Sequence, residues 1–435
     1  MYLNQLAMKS KISLSLYFFL LGFLAVFQNT SSQNNDWTFF RGSNLNGIAE
    51  TGKIPLKWDS LNIKWKTEIH GRGLSSPVVY GNQIWLTTAT TDGKELYAVA
   101  IDFNSGKILY DIKVFTPEKV EGKNALNSYA TPTPCIEKDF VYVHYGNYGT
   151  ACIRTSDGSI VWKVNDYKCR YVQGAAASPI LYKNLIIMHF EGTDVRFIVA
   201  LNKSDGKLVW RKDRPAEPYI PLTEIGKKAY ITPIIINVKG HDMLISDGSA
   251  VCQAIDPNTG EEIWRVVRGA ESTIAMPFTE KGVVYWYAGF MVDSKSPKFT
   301  EMLAVNPDGK GDITGTNVLW KKRDDLSDNQ MLTPVIKNGL IYTVTTKNNL
   351  MCINAVNGEE VWTTHLRSAF NASPIYLNGN VWLFSVKGEV MTIKAGKKYE
   401  VVAENQMDSG IWATPAFLRN SVILRTEKLL YRIGK

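Results

Sequence analysis

The sequence predicts an all-β chain: an eight-bladed β-propeller of four-stranded antiparallel blades, closed by an N-terminal strand that pairs into the last blade. Three observations predict it. A small-hydroxyl-Pro triplet recurs at blade-length spacing, hairpin turn signals follow each triplet, and a Gly-to-Trp signature closes most repeats.

The triplets are Ser75-Ser76-Pro77, Ala130-Thr131-Pro132, Ala177-Ser178-Pro179, Ile231-Thr232-Pro233, Leu332-Thr333-Pro334, Ala372-Ser373-Pro374 and Ala413-Thr414-Pro415. Ala275-Met276-Pro277 is a degenerate copy. From Pro77 to Pro415 the mean interval is about 48 residues, within the ~40–50 of propeller blades. Small residues suit strands that converge on an axis. Proline suits an edge strand, which can lack a ladder N–H.

Two apolar stretches follow each triplet, separated by turns such as Gly81-Asn82, Lys183-Asn184, Lys239-Gly240, Asn338-Gly339 and Asn378-Gly379. These residues tolerate the positive φ of two-residue hairpins. A third strand leads to a turn ending in Gly with Trp four residues on: Gly158 to Trp162, Gly206 to Trp210, Gly260 to Trp264 and Gly358 to Trp362. Gly315 has Trp320 one place later, Gly106 has Tyr110, and Gly396 leads to no aromatic.

Only three strands follow Pro415, whereas Asn62-Ile63-Lys64-Trp65-Lys66 bears a Trp with no preceding triplet. Trp65 is therefore expected to complete the last blade, which closes the ring and hides its edges.

The fullest signature, Ala254 to Trp264, with Ala200 to Trp210 and Ala100 to Tyr110, resembles the tryptophan-docking motif of the PQQ-type propeller family. That family includes quinoprotein dehydrogenases and outer-membrane assembly factors of the BamB type. The resemblance covers residues 62 to 433.

Residues 1–32 read as a signal peptide: Lys9 and Lys11, an apolar run from Ile12 to Phe27, then polar residues, with cleavage after Ser32. The run is shorter than the ~20 residues a bilayer span needs. No cysteine near its end offers a lipid anchor. A periplasmic or secreted protein is expected, not membrane-spanning after cleavage. Residues 33–61 are an extension that packs across a face or serves as a docking arm, and 62–435 are the propeller.

The net charge of +8 is spread thinly, with no dense basic run, so nucleic acid is not an expected partner. Of five cysteines, Cys152, Cys252 and Cys352 occupy matching repeat positions and read as core. Cys135 and Cys169 remain as the one candidate disulfide.

In the family, ligand contacts come from the loops that lead into the innermost strands. By position the resemblance implies Arg72, Asn127, Tyr129, Gln173, Lys228, Tyr230, Glu271, Ser272, Gln330, Asn371, Asp408 and Trp412 at the channel mouth. Such a set suits a polar or anionic ligand, with aromatic faces for stacking. PQQ with calcium is one candidate cofactor, with Glu271, Asn371 and Asp408 as the residue types that would serve it. Against it, no two cysteines are adjacent and no Cys-x-x-Cys-His haem site exists. No histidines stand at metal-ligand spacing. His70, beside the Arg72 loop, is the one to watch. Asp256 to Glu261 and the insertion around Gly309-Lys310-Gly311 read as turns rather than calcium or phosphate loops.

The expectation is a non-enzymatic binding or assembly scaffold. Its partner would be a protein segment that adds to an exposed strand, or a small polar or carbohydrate ligand at the mouth. A PQQ-dependent oxidoreductase and a carbohydrate-binding propeller are the alternatives.

Overall fold

Eight antiparallel sheets are arranged in chain order in this computed structural model, which describes residues 36–49, 52–269, 271–289, 295, 299–325 and 331–435. Blade 1 comprises Val78–Tyr80, Gln83–Ala89, Leu96–Asp102 and Ile108–Phe115, from the innermost strand outward. Blades 2 to 7 repeat this order. Blade 8 takes Ala416–Leu418, Ser421–Arg425 and Leu429–Gly434 from the C-terminus and Ile63–Glu68 from the N-terminus. Lys66 faces Tyr431 in that pairing, so the expected ring closure is present.

Burial explains the strand chemistry. Second strands such as Leu185–Glu191 are buried at every position, because neighbouring blades cover both faces. Outermost strands such as Leu208–Asp213 expose most positions and sink their Trp. A register shift sits beside that Trp, as between Ala200 and Leu201, and turns the ring toward the next blade. Trp162 then lies over Gly206 and donates from Nε1 to Lys203 O at 2.8 Å, while Trp210 does the same to Pro257 O at 3.1 Å. A Cβ at Gly206 would stand 2.8 Å from the Trp162 ring, and φ there is +71°, so glycine is required on both counts. Trp65 repeats the contact from blade 8 onto Gly106 of blade 1, with Nε1 on Phe103 O at 2.9 Å.

Three expectations change. In blade 2 the inner strand is Cys135–Ile136, so Thr133-Pro134 holds the place that Ser76-Pro77 holds before Val78–Tyr80. The repeat register therefore runs through Pro134 rather than Pro132, an ambiguity built into the sequence Thr-Pro-Thr-Pro. The insertion around Gly311 contributes a fifth strand, Gly311–Asp312, parallel to Glu262–Val267 of blade 4, and seats buried Ile313 in the cluster that holds Trp264. Cys135 and Cys169 are free thiols buried in one apolar cluster, so no disulfide joins them.

The segment before the ring crosses the face formed by the turns between first and second strands. Trp37 exchanges backbone hydrogen bonds with Val79, Thr38 O accepts from Ile136, and Ile48–Ala49 pairs parallel with Ile375–Leu377. Trp58 stacks on Trp382 at 6.1 Å. Between them Arg41 is fully buried, donating to Thr333 O, to Pro334 O at 2.8 Å and to Asn46 O at 3.1 Å. The described part of this segment thus packs across that face.

Candidate binding site at the channel mouth

The triplets form a hydrogen-bonded belt around the axis. At most seams the backbone N–H of one triplet's middle residue donates to the hydroxyl of the next blade: Ser76 to Thr133 (3.0 Å), Thr133 to Ser178 (2.9 Å) and Ser178 to Thr232 (2.9 Å). Met276 to Thr333 (3.0 Å), Thr333 to Ser373 (3.1 Å) and Ser373 to Thr414 (2.9 Å) continue it. The hydroxyls are thus blade-to-blade acceptors for N–H groups that the converging strands would leave unpaired. The belt breaks where Met276 supplies no hydroxyl. At the closing seam the guanidinium of Arg425 in blade 8 bridges instead to Ser75 and Thr87 of blade 1.

Inside the belt lies a cavity of about 210 Å³, floored by Phe40 of the N-terminal segment. Asn124, Asn127, Gln173, Asn371, Tyr230 and Trp412 stand toward its mouth, on the loops that lead into the inner strands. None of the described residues lining it carries a charge.

Of the residues singled out in the sequence, the structure brings Asn127, Gln173, Tyr230, Asn371 and Trp412 to this lining. Asn127 Nδ2 donates to Gln173 O at 2.8 Å, Tyr230 Oη to Tyr171 O at 2.6 Å, and Trp412 Nε1 to Glu427 Oε1 at 3.0 Å. The others do not line this cavity. Glu271 is buried and accepts from Thr223 N–H at 2.6 Å and its hydroxyl at 2.8 Å, while buried Lys228 donates to Ile225 O at 2.9 Å. Both brace the loop between blades 3 and 4. Ser272 donates from its backbone N–H to Ser249 at 2.6 Å. Tyr129 packs beside Lys123 and Tyr148, Asp408 is exposed next to Ser409, and Arg72 reaches Ala125 O at 3.1 Å. His70 contacts Asp111 at 3.0 Å. Gln330 lies outside the described residues.

This chemistry decides the fit to PQQ, a tricarboxylate held with calcium. A channel whose described lining is hydroxyls, amides and apolar groups offers it no counter-charge and no carboxylate for the metal. Among the described residues no three His, Cys, Asp or Glu side chains group as metal ligands, and Glu271, Asn371 and Asp408 have separate surroundings. The described lining of the channel does not fit the cofactor.

Sequence reasoning missed a second feature, a buried ionic cluster between blades 3 and 4. Arg214 donates to Glu191 (3.1 Å), Ser246 O (2.9 Å) and Gln253 (2.8 Å). His189 and Tyr219 also bond Glu191, and Arg268 pairs with Asp247 at 3.0 Å. Despite its burial, Glu191 is held down at about 2 by Arg214 and its hydrogen-bond donors. Burial pushes Asp247 up to about 7. Hydrophobic periodicity carries no signal for it, since its members are scattered from His189 to Arg268.

Comparison with known proteins agrees with this fold. A curated relative, tetrathionate hydrolase of Acidithiobacillus ferrooxidans, is 21% identical over 369 residues, covering 79% of this chain and 67% of that protein. BamB of Yersinia pestis is 23% identical over 265 residues, 60% of each chain. The crystal structure of BamB from Moraxella catarrhalis superposes with a TM-score of 0.58 at 10% identity, over 86% of this chain and 97% of that one. The family model for outer membrane protein assembly factor BamB, a PQQ-type repeat, matches residues 56–219, 196–332 and 247–401, so the chain belongs to that family.

Proposed function

We propose that the chain is a non-enzymatic scaffold of the periplasm, whose mouth face docks a segment of a protein partner in the service of outer membrane protein assembly. The observation that carries this reading is an arc of apolar side chains on three successive mouth loops, beside an uncharged channel. Leu126, Val172 and Ile220 are 50%, 45% and 75% exposed. Val172 is a β-branched residue at φ +65°, a costly conformation that favours a role for its loop. Gln173, Tyr230, Asn371 and Trp412 are the polar and aromatic contacts such a segment would meet beyond that arc.

Deleting the gene is expected to lower the amount of folded β-barrel protein in the outer membrane. Leu126→Asp with Val172→Asp should reproduce that loss while the purified variant stays folded. Full complementation by the double variant would remove this reading. Saturable PQQ binding with calcium, accompanied by dye reduction, would replace it with the oxidoreductase.

A second reading rests on the neutral lining itself. Amides with a half-exposed indole suit an uncharged saccharide, and Trp412→Ala should then abolish binding in a glycan screen.

A further inference from the structure

The structure buries four arginines, and three of them are accounted for. Arg214 and Arg268 have Glu191 and Asp247 as counter-charges, and Arg41 spends both terminal nitrogens on carbonyls. Arg425 is different. It is 5% exposed and forms no ion pair among the described residues, and its Nη1 alone bonds Ser75 O, Ser75 Oγ and Thr87 O. No hydrogen bond is made by its Nη2 or Nε among the described residues. Loss of hydration lowers its pKa to about 10.

Arg425 also lines a cavity of about 370 Å³ at the mouth, between blades 8 and 1. Its other walls include Gly71, Arg72, Gly73, Leu74, Trp412 and Glu427. Gly73 makes room for the guanidinium, because a Cβ there would stand 2.6 Å from Nη2. Arg72, exposed, lines the same cavity and reaches from its rim to Ala125 O through Nη2. Glu427 is the one carboxylate among the lining residues, and its Oε1 accepts from the Trp412 indole, so the wall keeps a net positive charge. Trp412 and Leu74 are shared with the neutral channel, which places an aromatic and an apolar surface directly beside the cations.

A bracket between two blades needs only a neutral donor. A buried, unpaired charge costs several kcal/mol more than that role requires. We infer that the Arg425–Arg72 cavity is a carboxylate site, which receives a monocarboxylate through charge-assisted hydrogen bonds with its apolar or aromatic stem against Trp412 and Leu74. The same chemistry is presented by a small aromatic acid and by the C-terminus of a polypeptide. This inference stands apart from the partner-docking reading, which rests on Leu126 and Val172.

Titration of the full chain with benzoate against benzamide, and with N-acetylphenylalanine against its amide, followed by tryptophan fluorescence and calorimetry, tests it. At least one acid should bind about tenfold or more tightly than its amide, a difference of ~1.4 kcal/mol. The pair that shows it identifies the source. Arg72→Gln, at an exposed position, should weaken the acid and leave the amide unchanged, and Glu427→Gln should tighten the acid. Equal binding of acid and amide in both pairs, or no binding of either acid, overturns the inference. So does an Arg72→Gln variant that binds the acid as the wild type does. Arg425→Gln alone would not decide it, since that change also cuts the closing seam.

Discussion

The belt around the axis and the ionic cluster between blades 3 and 4 solve one problem, that of tying neighbouring sheets together in a dry interior, with opposite chemistry. The belt uses one neutral hydrogen bond at each of six seams among the described residues, as at Thr133 and Ser178. The cluster gathers Glu191, Arg214, His189, Tyr219, Asp247 and Arg268 at a single seam. Neutral bonds contribute about 1 kcal/mol each and fail singly. Charges stripped of water must all be matched, so the cluster fails as a unit.

The largest effect expected from that difference is at Arg214. Arg214→Met leaves Glu191 buried with its main counter-charge gone and should cost about 3–5 kcal/mol in urea denaturation. Adding Glu191→Gln should recover part of the loss, because no buried charge is then stranded. Simple additivity of the two changes would show that the cluster is a set of independent contacts. The next effect depends on pH. The folded pKa of Asp247, near 7, lies above its ordinary 3.8, so its contribution is complete below 3.8 and is lost as pH rises toward 7. Asp247→Asn should therefore gain on the wild type across that window, and a flat difference would refute the raised pKa. In the belt, Thr232→Val strands the Ser178 N–H that now donates at 2.9 Å. A loss of about 1–3 kcal/mol is expected, at the lower end because the channel admits water, and it should not vary between pH 4 and 8.

The same contrast explains what could be read from the chain. Repetition made the blades legible: one triplet is weak, but eight at a steady interval, in register with Gly206 to Trp210 and its copies, define sheets and their order. It also set the limit. Positions carried over from the repeat reached the channel where blades are regular, as at Asn371 and Trp412. They led away from it where long loops intervene, as at Lys228 and Glu271, which brace the segment around Thr223. The cluster and the Arg425 cavity have no repeat counterpart. Their residues meet only because blades converge, and nothing in local spacing records that.

The smallest effect is the most discriminating for the belt. Met276 occupies the hydroxyl position of blade 5, so the Thr232 N–H has no neighbour's hydroxyl to meet, whereas Ser178 and Thr333 have theirs. Met276→Thr restores the acceptor and should contribute about 1 kcal/mol. It also removes a buried thioether side chain from a wall shared by the channel and the blade 4–5 cluster, which costs more wherever the gap cannot collapse. Because part of that side chain faces the channel rather than packed neighbours, the two terms should nearly cancel, leaving a change within about 1 kcal/mol. A loss well beyond that would mean that Met276 is held for packing and that the belt tolerates its gap at no cost.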